Sequence, residues 1–197
     1  TRLKEEFQAT CISTAHDAIG RYNWYRIYTT NYDNIIELSY SKASKTLIPI
    51  TLSSPHKGKD DYRQHCIHLN GYIGSLTPEK LENEFKLTSA SYLTDDFSKS
   101  EWFEMFKSDI VACDALIFIG FSMDYDLDLA RIIVSETIKD KALFIVKQGE
   151  DELDVSNLSD FGTVVDWGLD EFVKMVQNKE KEYTPPLTKL FTPISFH

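Results

Sequence analysis

Residues Ala115-Leu116-Ile117-Phe118-Ile119 form an unbroken apolar run stopped by Gly120. A strand without polar alternation has both faces covered, as in a parallel sheet packed between helices; a half-solvated sheet alternates apolar with polar residues. Few architectures satisfy that condition. Beyond Gly120, the residues Leu127, Leu129, Ile132, Ile133 and Ile138 mark an amphipathic helix, with Asp126 or Asp128 suited to its first turn. Then come a short apolar strand at Ala142–Val146, an acidic loop at Gln148–Asp160, a strand at Gly162–Trp167 and a helix at Leu169–Gln177.

The same rhythm runs through the first half. Leu3, Phe7, Cys11, Ala15 and Ile19 recur every four residues, which predicts one helix ending near Gly20. The β-branched and aromatic run Trp24–Thr30 reads as a buried strand, and Asn34 with Glu37 has capping-box spacing for a helix carrying Ile35, Ile36 and Leu38. Thr46–Leu52 reads as a strand, held to an edge or a bulge by Pro49, which has no main-chain donor. A loop at Ser53–Arg63 leads to a short strand and turn over Cys66–Gly71, and a short helix is predicted from Pro78 to about Phe85. Ser98 and Glu101 repeat the capping-box spacing ahead of a helix bearing Trp102, Phe103, Phe106 and Ile110. Strands alternating with helices imply one α/β domain over residues 1–177, a doubly wound and mostly parallel sheet with helices on both faces. The tail from Asn178, with Lys179, Lys181, Pro185, Pro186 and Pro193, lacks periodicity and reads as a linker or partner-binding extension.

Composition narrows the partners. A formal charge of −10 and a pI near 4.9 are the wrong sign for neutralising a phosphate backbone, so no direct nucleic-acid ligand is expected. Cys11, Cys66 and Cys113 are scattered with no C-x-x-C pair, which predicts reduced thiols in a cytoplasmic setting and no zinc module or other metal site. Neither a signal peptide nor a membrane-spanning run is present in this sequence.

Chemistry is expected where strands end, because open α/β sheets bind ligands outside the carboxyl ends of their strands. Asn31, with Thr30 and Asp33, occupies such a turn, although an Asn-x-Asp after a strand is more often a turn former bonding its own backbone. Strand alternation places His68 and Asn70 on one face, opposite Ile67 and Leu69. Gly120 admits a ligand close to the main chain, and Ser122 offers a hydroxyl to a phosphate or ribose.

Three stretches in this order carry a resemblance. Thr29-Thr30-Asn31-Tyr32-Asp33 is similar to the sirtuin T-Q-N-x-D, Ile67-His68-Leu69-Asn70-Gly71 to the catalytic-histidine segment, and Ile119-Gly120-Phe121-Ser122-Met123 to the nucleotide-binding G-x-S strand end. Leu87-Thr88 through Ser91-Tyr92 to Trp102 is similar to a linker of the bacterial branch. Over residues 22–170 the chain thus resembles the SIR2-like family, the sirtuin-related domains common in bacterial anti-phage systems. The resemblance implies a Rossmann-like fold, NAD as substrate and a homo-oligomer with a possible partner ATPase or sensor protein. Asn31 and His68 would then be catalytic, while Thr30, Asp33, Asn70, Gly120, Ser122 and Trp167 would contact the dinucleotide. Relatives without a zinc module are commonly NAD glycohydrolases; an NAD-dependent deacylase and a non-catalytic NAD or ADP-ribose sensor are the alternatives. Two departures stand out. Asn70 directly precedes Gly71 where most relatives have histidine, and no strand with a Gly-rich turn precedes Thr1, which predicts further sequence upstream.

Overall fold

A computed structural model of the chain describes residues 2–55, 63–88, 91, 94, 96–123, 127–135 and 138–182. Helices α1 (Arg2–Phe7) and α2 (Thr14–Arg21) lead to β1 (Ile27–Thr29), α3 (Ile35–Lys42), β2 (Ile48–Thr51) and β3 (His65–His68). A short 3-10 turn at Ile73–Ser75 and α4 (Pro78–Asn83) follow, then α5 (Glu101–Ala112) and β4 (Leu116–Ile119). Next come α6 (Leu127–Ser135), β5 (Ala142–Val146), α7 (Glu152–Ser159), β6 (Thr163–Asp166) and α8 (Gly168–Glu182). Every strand pair is parallel, in two three-stranded ladders ordered β1-β3-β2 and β4-β5-β6. The second ladder runs outward from β4 in chain order, whereas in the first β3 inserts between β1 and β2; both are parallel and flanked by helices, the α/β, Rossmann-like arrangement expected.

One hydrophobic layer joins the two ladders. Ile67 and Leu69 from the β3 segment share a buried cluster with Phe144 and Val146 of β5, roofed by Trp102, Phe106 and Ile110 of α5 and by Ile132 and Ile133 of α6. On the other face, Ala15 and Ala18 of α2 pack with Ile145, Phe172 and Val173, while Tyr40 of α3 packs with Cys66 and Leu47. Pro49 lies on β2, the outer strand of its ladder, where a missing main-chain donor is tolerated.

Several elements depart from expectation. The single amino-terminal helix is two, because the Ser13 hydroxyl accepts from the His16 amide and restarts the helix as α2. Gly20 lies inside α2 and not beyond its end; a Cβ there would sit 2.3 Å from the main chain of Ser39, so glycine is what lets α2 and α3 touch. The Asn34 capping box does not form, and the second such helix opens at Ser100. Asn34 turns its carboxamide to Ala9, Asp33 accepts the Ile35 amide at 2.9 Å, and Ser100 stands at the start of α5 in place of Ser98. The acidic loop holds α7, capped by the Asp151 carboxylate on the Leu153 amide, and the last helix runs past Gln177 to Glu182. β4 is only partly covered, with Ile119 43 % exposed, because its outer edge has no strand partner among the described residues. Asp126 lies outside the described residues, as do the side chain of Asp128 and the tail beyond Glu182. Among the described residues, no helix is long and apolar enough to cross a membrane.

Candidate functional site

The edges of β1 and β4 that have no strand partner among the described residues flank a cavity of about 350 Å³. It extends from Tyr25 and Ala115 at one end to Asn31 and Phe121 at the other, the full length of both strands. Both strands start at the carboxyl end of α5: Arg26 donates from Nε to Asp109 at 2.6 Å, and the Cys113 amide that leads into β4 bonds the Asp109 carbonyl. Both therefore finish at the opposite rim, where Thr30 and Asn31 meet Gly120. That rim is the topological switch point, the place where an open α/β sheet takes its ligand.

Local bonds fix the rim. The Asn31 amide donates to Thr29 Oγ1 at 3.1 Å, and Asn70 Nδ2 donates to the Thr30 carbonyl at 2.9 Å, so the main chain is held while the Asn31 side chain is left to solvent. Gly120 adopts φ +64, a left-handed conformation that side chains other than glycine strain to reach, and nothing lies within 4 Å of where its Cβ would be. A ligand thus meets bare main chain there.

His68 departs from the expected geometry. It is 1 % exposed and does not line the cavity; its ring bonds the Asn31 carbonyl through Nδ1 at 3.1 Å and Glu37 Oε1 through Nε2 at 2.9 Å. Both ring nitrogens are thus engaged within the fold, one by a main-chain carbonyl and one by a carboxylate. β3 stops at His68, and Asn70 belongs to the turn that follows it. Tyr72 covers the imidazole, its ring centroid 4.4 Å away, and burial pushes the Tyr72 phenol up to about 12. Beside the pair, burial and the Glu37 carboxylate hold the Cys66 thiol well above its usual range. Glu37, Cys66 and His68 bring their ligand-type atoms within 4.8 Å of one another, so they are the described residues able to hold a metal ion.

Of the other expected contacts, Asp33 caps α3 and Ser122 is partly buried just beyond the cavity lining. Trp167, 38 % exposed, follows β6 on the far side of β5 from the cavity. Thr30, Asn31 and Gly120 are the ones the fold brings together. Sequence reasoning missed Asp109, which is 6 % exposed and accepts from both Arg26 and Tyr28 Oη, each at 2.6 Å. The signal was present: a carboxylate beside Ile110, on the helical stripe that also carries Trp102 and Phe106, faces the sheet. Burial together with Asp109 pushes the Tyr28 phenol far above its normal range.

Residues 25–156 match the family model described as the SIR2-like domain, more than half of the chain. No curated protein matches the chain.

Proposed function

The chain belongs to the SIR2-like domain family, whose members use NAD, and from that premise we propose that it is an NAD+ glycohydrolase releasing nicotinamide and ADP-ribose. What carries the reading is the exposed carboxamide of Asn31 standing opposite the bare main chain of Gly120 at the switch point. A cavity of about 350 Å³ is at the lower end for small-molecule sites, so the fit is to one half of the dinucleotide with the remainder along the open rim.

The chemistry asks little acid–base help. Nicotinamide leaves as a neutral molecule, and positive charge grows on the ribose as the bond to nitrogen lengthens. The enzyme's task is to orient the sugar and one water, and to exclude competing poses. A carboxamide suits this, since its oxygen accepts from a ribose hydroxyl or the water while its nitrogen donates. His68 is a positioning residue in this scheme. It pins the Asn31 carbonyl from below while Asn70 pins that of Thr30, and the two bonds set the angle at which Asn31 is presented. Thr30 and Gly120 contact the substrate at the rim, with Ser122 close behind. Family likeness extends the proposal to a cytoplasmic, homo-oligomeric effector of bacterial anti-phage defence acting with a partner ATPase or sensor.

The experiment is product chromatography with NAD+ for the wild type and Asn31→Ala. Free ADP-ribose should form and fall by about 100-fold or more in the variant, a loss of roughly 2.7 kcal/mol of transition-state stabilisation, while the melting temperature stays put because the side chain is exposed. Wild-type turnover in Asn31→Ala refutes the assignment. O-acyl-ADP-ribose formed only with acylated peptide identifies a deacylase, and a ligand-induced thermal shift without turnover identifies a sensor.

A further inference from the structure

We infer that Glu37, Cys66 and His68 form a binding site for one zinc ion, which ties α3 to β3 beneath the Asn31 turn. Three ligand types meet there, an imidazole nitrogen, a thiol sulfur and a carboxylate oxygen, all within 4.8 Å of one another. Ligand atoms lie about 2.0–2.3 Å from a zinc ion, so two of them bound to one ion stand no farther apart than about 4.6 Å. The set closes with little movement. His68 Nε2 and Glu37 Oε1, 2.9 Å apart, separate to about 3.3 Å, the edge of a tetrahedron built on bonds of about 2.0 Å.

The bonds around the cluster are those a metal site needs. The Asn31 carbonyl only accepts, so His68 Nδ1 carries the proton of that bond and Nε2 is the nitrogen left to face an ion. A metal-binding histidine is ordinarily oriented in this way, its second N–H donating to a carbonyl or carboxylate. Glu37 supplies the independent observation: its Oε2 is buried without a hydrogen-bond partner among the described residues, an oxygen that calls for a cation. With both carboxylate oxygens bound, four donor atoms surround the ion, the coordination number of a structural zinc site. One thiolate and one imidazole select zinc over magnesium or calcium, which take oxygen ligands. As the ion enters, the Cys66 thiol gives its proton to solvent, and the cation neutralises the thiolate. Cys66 and His68 are closed off, but the Glu37 side chain is 13 % exposed and leaves the ion a way in. Scattered cysteines hide such a site from the sequence, because its three ligands meet only when the first turn of α3 lies over β3.

Metal titration tests this without reference to NAD turnover. The full chain is stripped with a chelator, returned to metal-free buffer and titrated with Zn2+ and, separately, with Co2+. One Zn2+ should bind per chain and raise the melting temperature by several degrees at saturation. Co2+ should give the thiolate charge-transfer absorption and the visible bands of a tetrahedral ion. X-ray absorption of the zinc-loaded wild type should show one sulfur among nitrogen and oxygen ligands, a result that needs no variant to fold. Cys66→Ser should lose the charge-transfer band and weaken Zn2+ binding by about 100-fold or more, while Cys11→Ser combined with Cys113→Ser keeps both. Binding that is not stoichiometric, an unraised melting temperature or a zinc shell without sulfur overturns the inference. So does a charge-transfer band that survives Cys66→Ser or disappears in the Cys11, Cys113 double variant. A protein that passes these tests and leaves NAD+ intact keeps the metal site and loses the glycohydrolase reading instead.

Discussion

His68 marks where one side chain decides between catalysis and support. Two positions apart on β3, Cys66 and His68 share one face, and only the structure shows that this face is covered by Glu37 of α3. Truncating the ring strands a nearly buried carboxylate and frees the Asn31 turn. His68→Ala should therefore lower urea-unfolding stability by about 2–4 kcal/mol, well beyond a typical surface substitution. Turnover should fall as well, chiefly in kcat, since the Asn31 carbonyl loses its anchor; full activity at unchanged stability would remove the positioning role. The neighbouring thiol gives a second reading of the same enclosure. With Cys66 buried and its ionisation suppressed by burial and Glu37, an alkylating reagent near pH 8 should modify exposed Cys11 and leave Cys66 unmodified in the native protein, as mass spectrometry of the digested chain will show. Labelling of Cys66 at the rate of Cys11 would mean that the Glu37–His68 layer opens.

Elements were legible wherever apolar periodicity alone defines them. β4, β5 and α5 emerge from runs such as Ala142–Val146 and the stripe Trp102, Phe106, Ile110, because burial on a fixed face dictates those residue types. What stayed hidden depends on partners distant in the chain. The four-residue stripe from Leu3 to Ile19 crosses the break at Ser13, where a cap outweighs continuity, and α7 has too few apolar residues to announce itself among its carboxylates. Asn34 was readable as the residue opening α3, but its side chain is taken by Ala9, twenty-five positions earlier. Gly20 is the sharpest case, since its value lies in an interhelical approach and not in a helix end. Gly20→Ala should force α2 and α3 apart and cost about 1–3 kcal/mol or more, seen as a melting temperature lowered by several degrees. An unchanged melting temperature would show that the helices part freely.

The molecule as a whole carries a formal charge of −10, so any ionisation that adds negative charge inside it works against folding twice, through desolvation and through repulsion. Tyr28, Tyr40 and Tyr72 are where this happens in alkali. Burial raises Tyr40 and Tyr72 from the usual 10 to about 12, and raises Tyr28 further with help from Asp109. For a group whose folded value lies above its unfolded one, the unfolded chain loses its proton first. Between pH 10 and 12 the unfolded state therefore binds fewer protons, and stability, fully present below pH 10, declines as pH rises through that window. The expected outcome is a melting temperature that drops steadily from pH 10 to 12, while the tyrosinate absorbance of the native protein lags behind that of the unfolded chain. Tyr72→Phe separates this from general lysine deprotonation. It keeps a ring over His68 while removing one late-titrating hydroxyl, so the slope of melting temperature against pH should become shallower with little change at pH 7. An identical slope in the variant would place the alkaline sensitivity elsewhere, with Tyr28 and its bond to the buried Asp109 as the next group to replace.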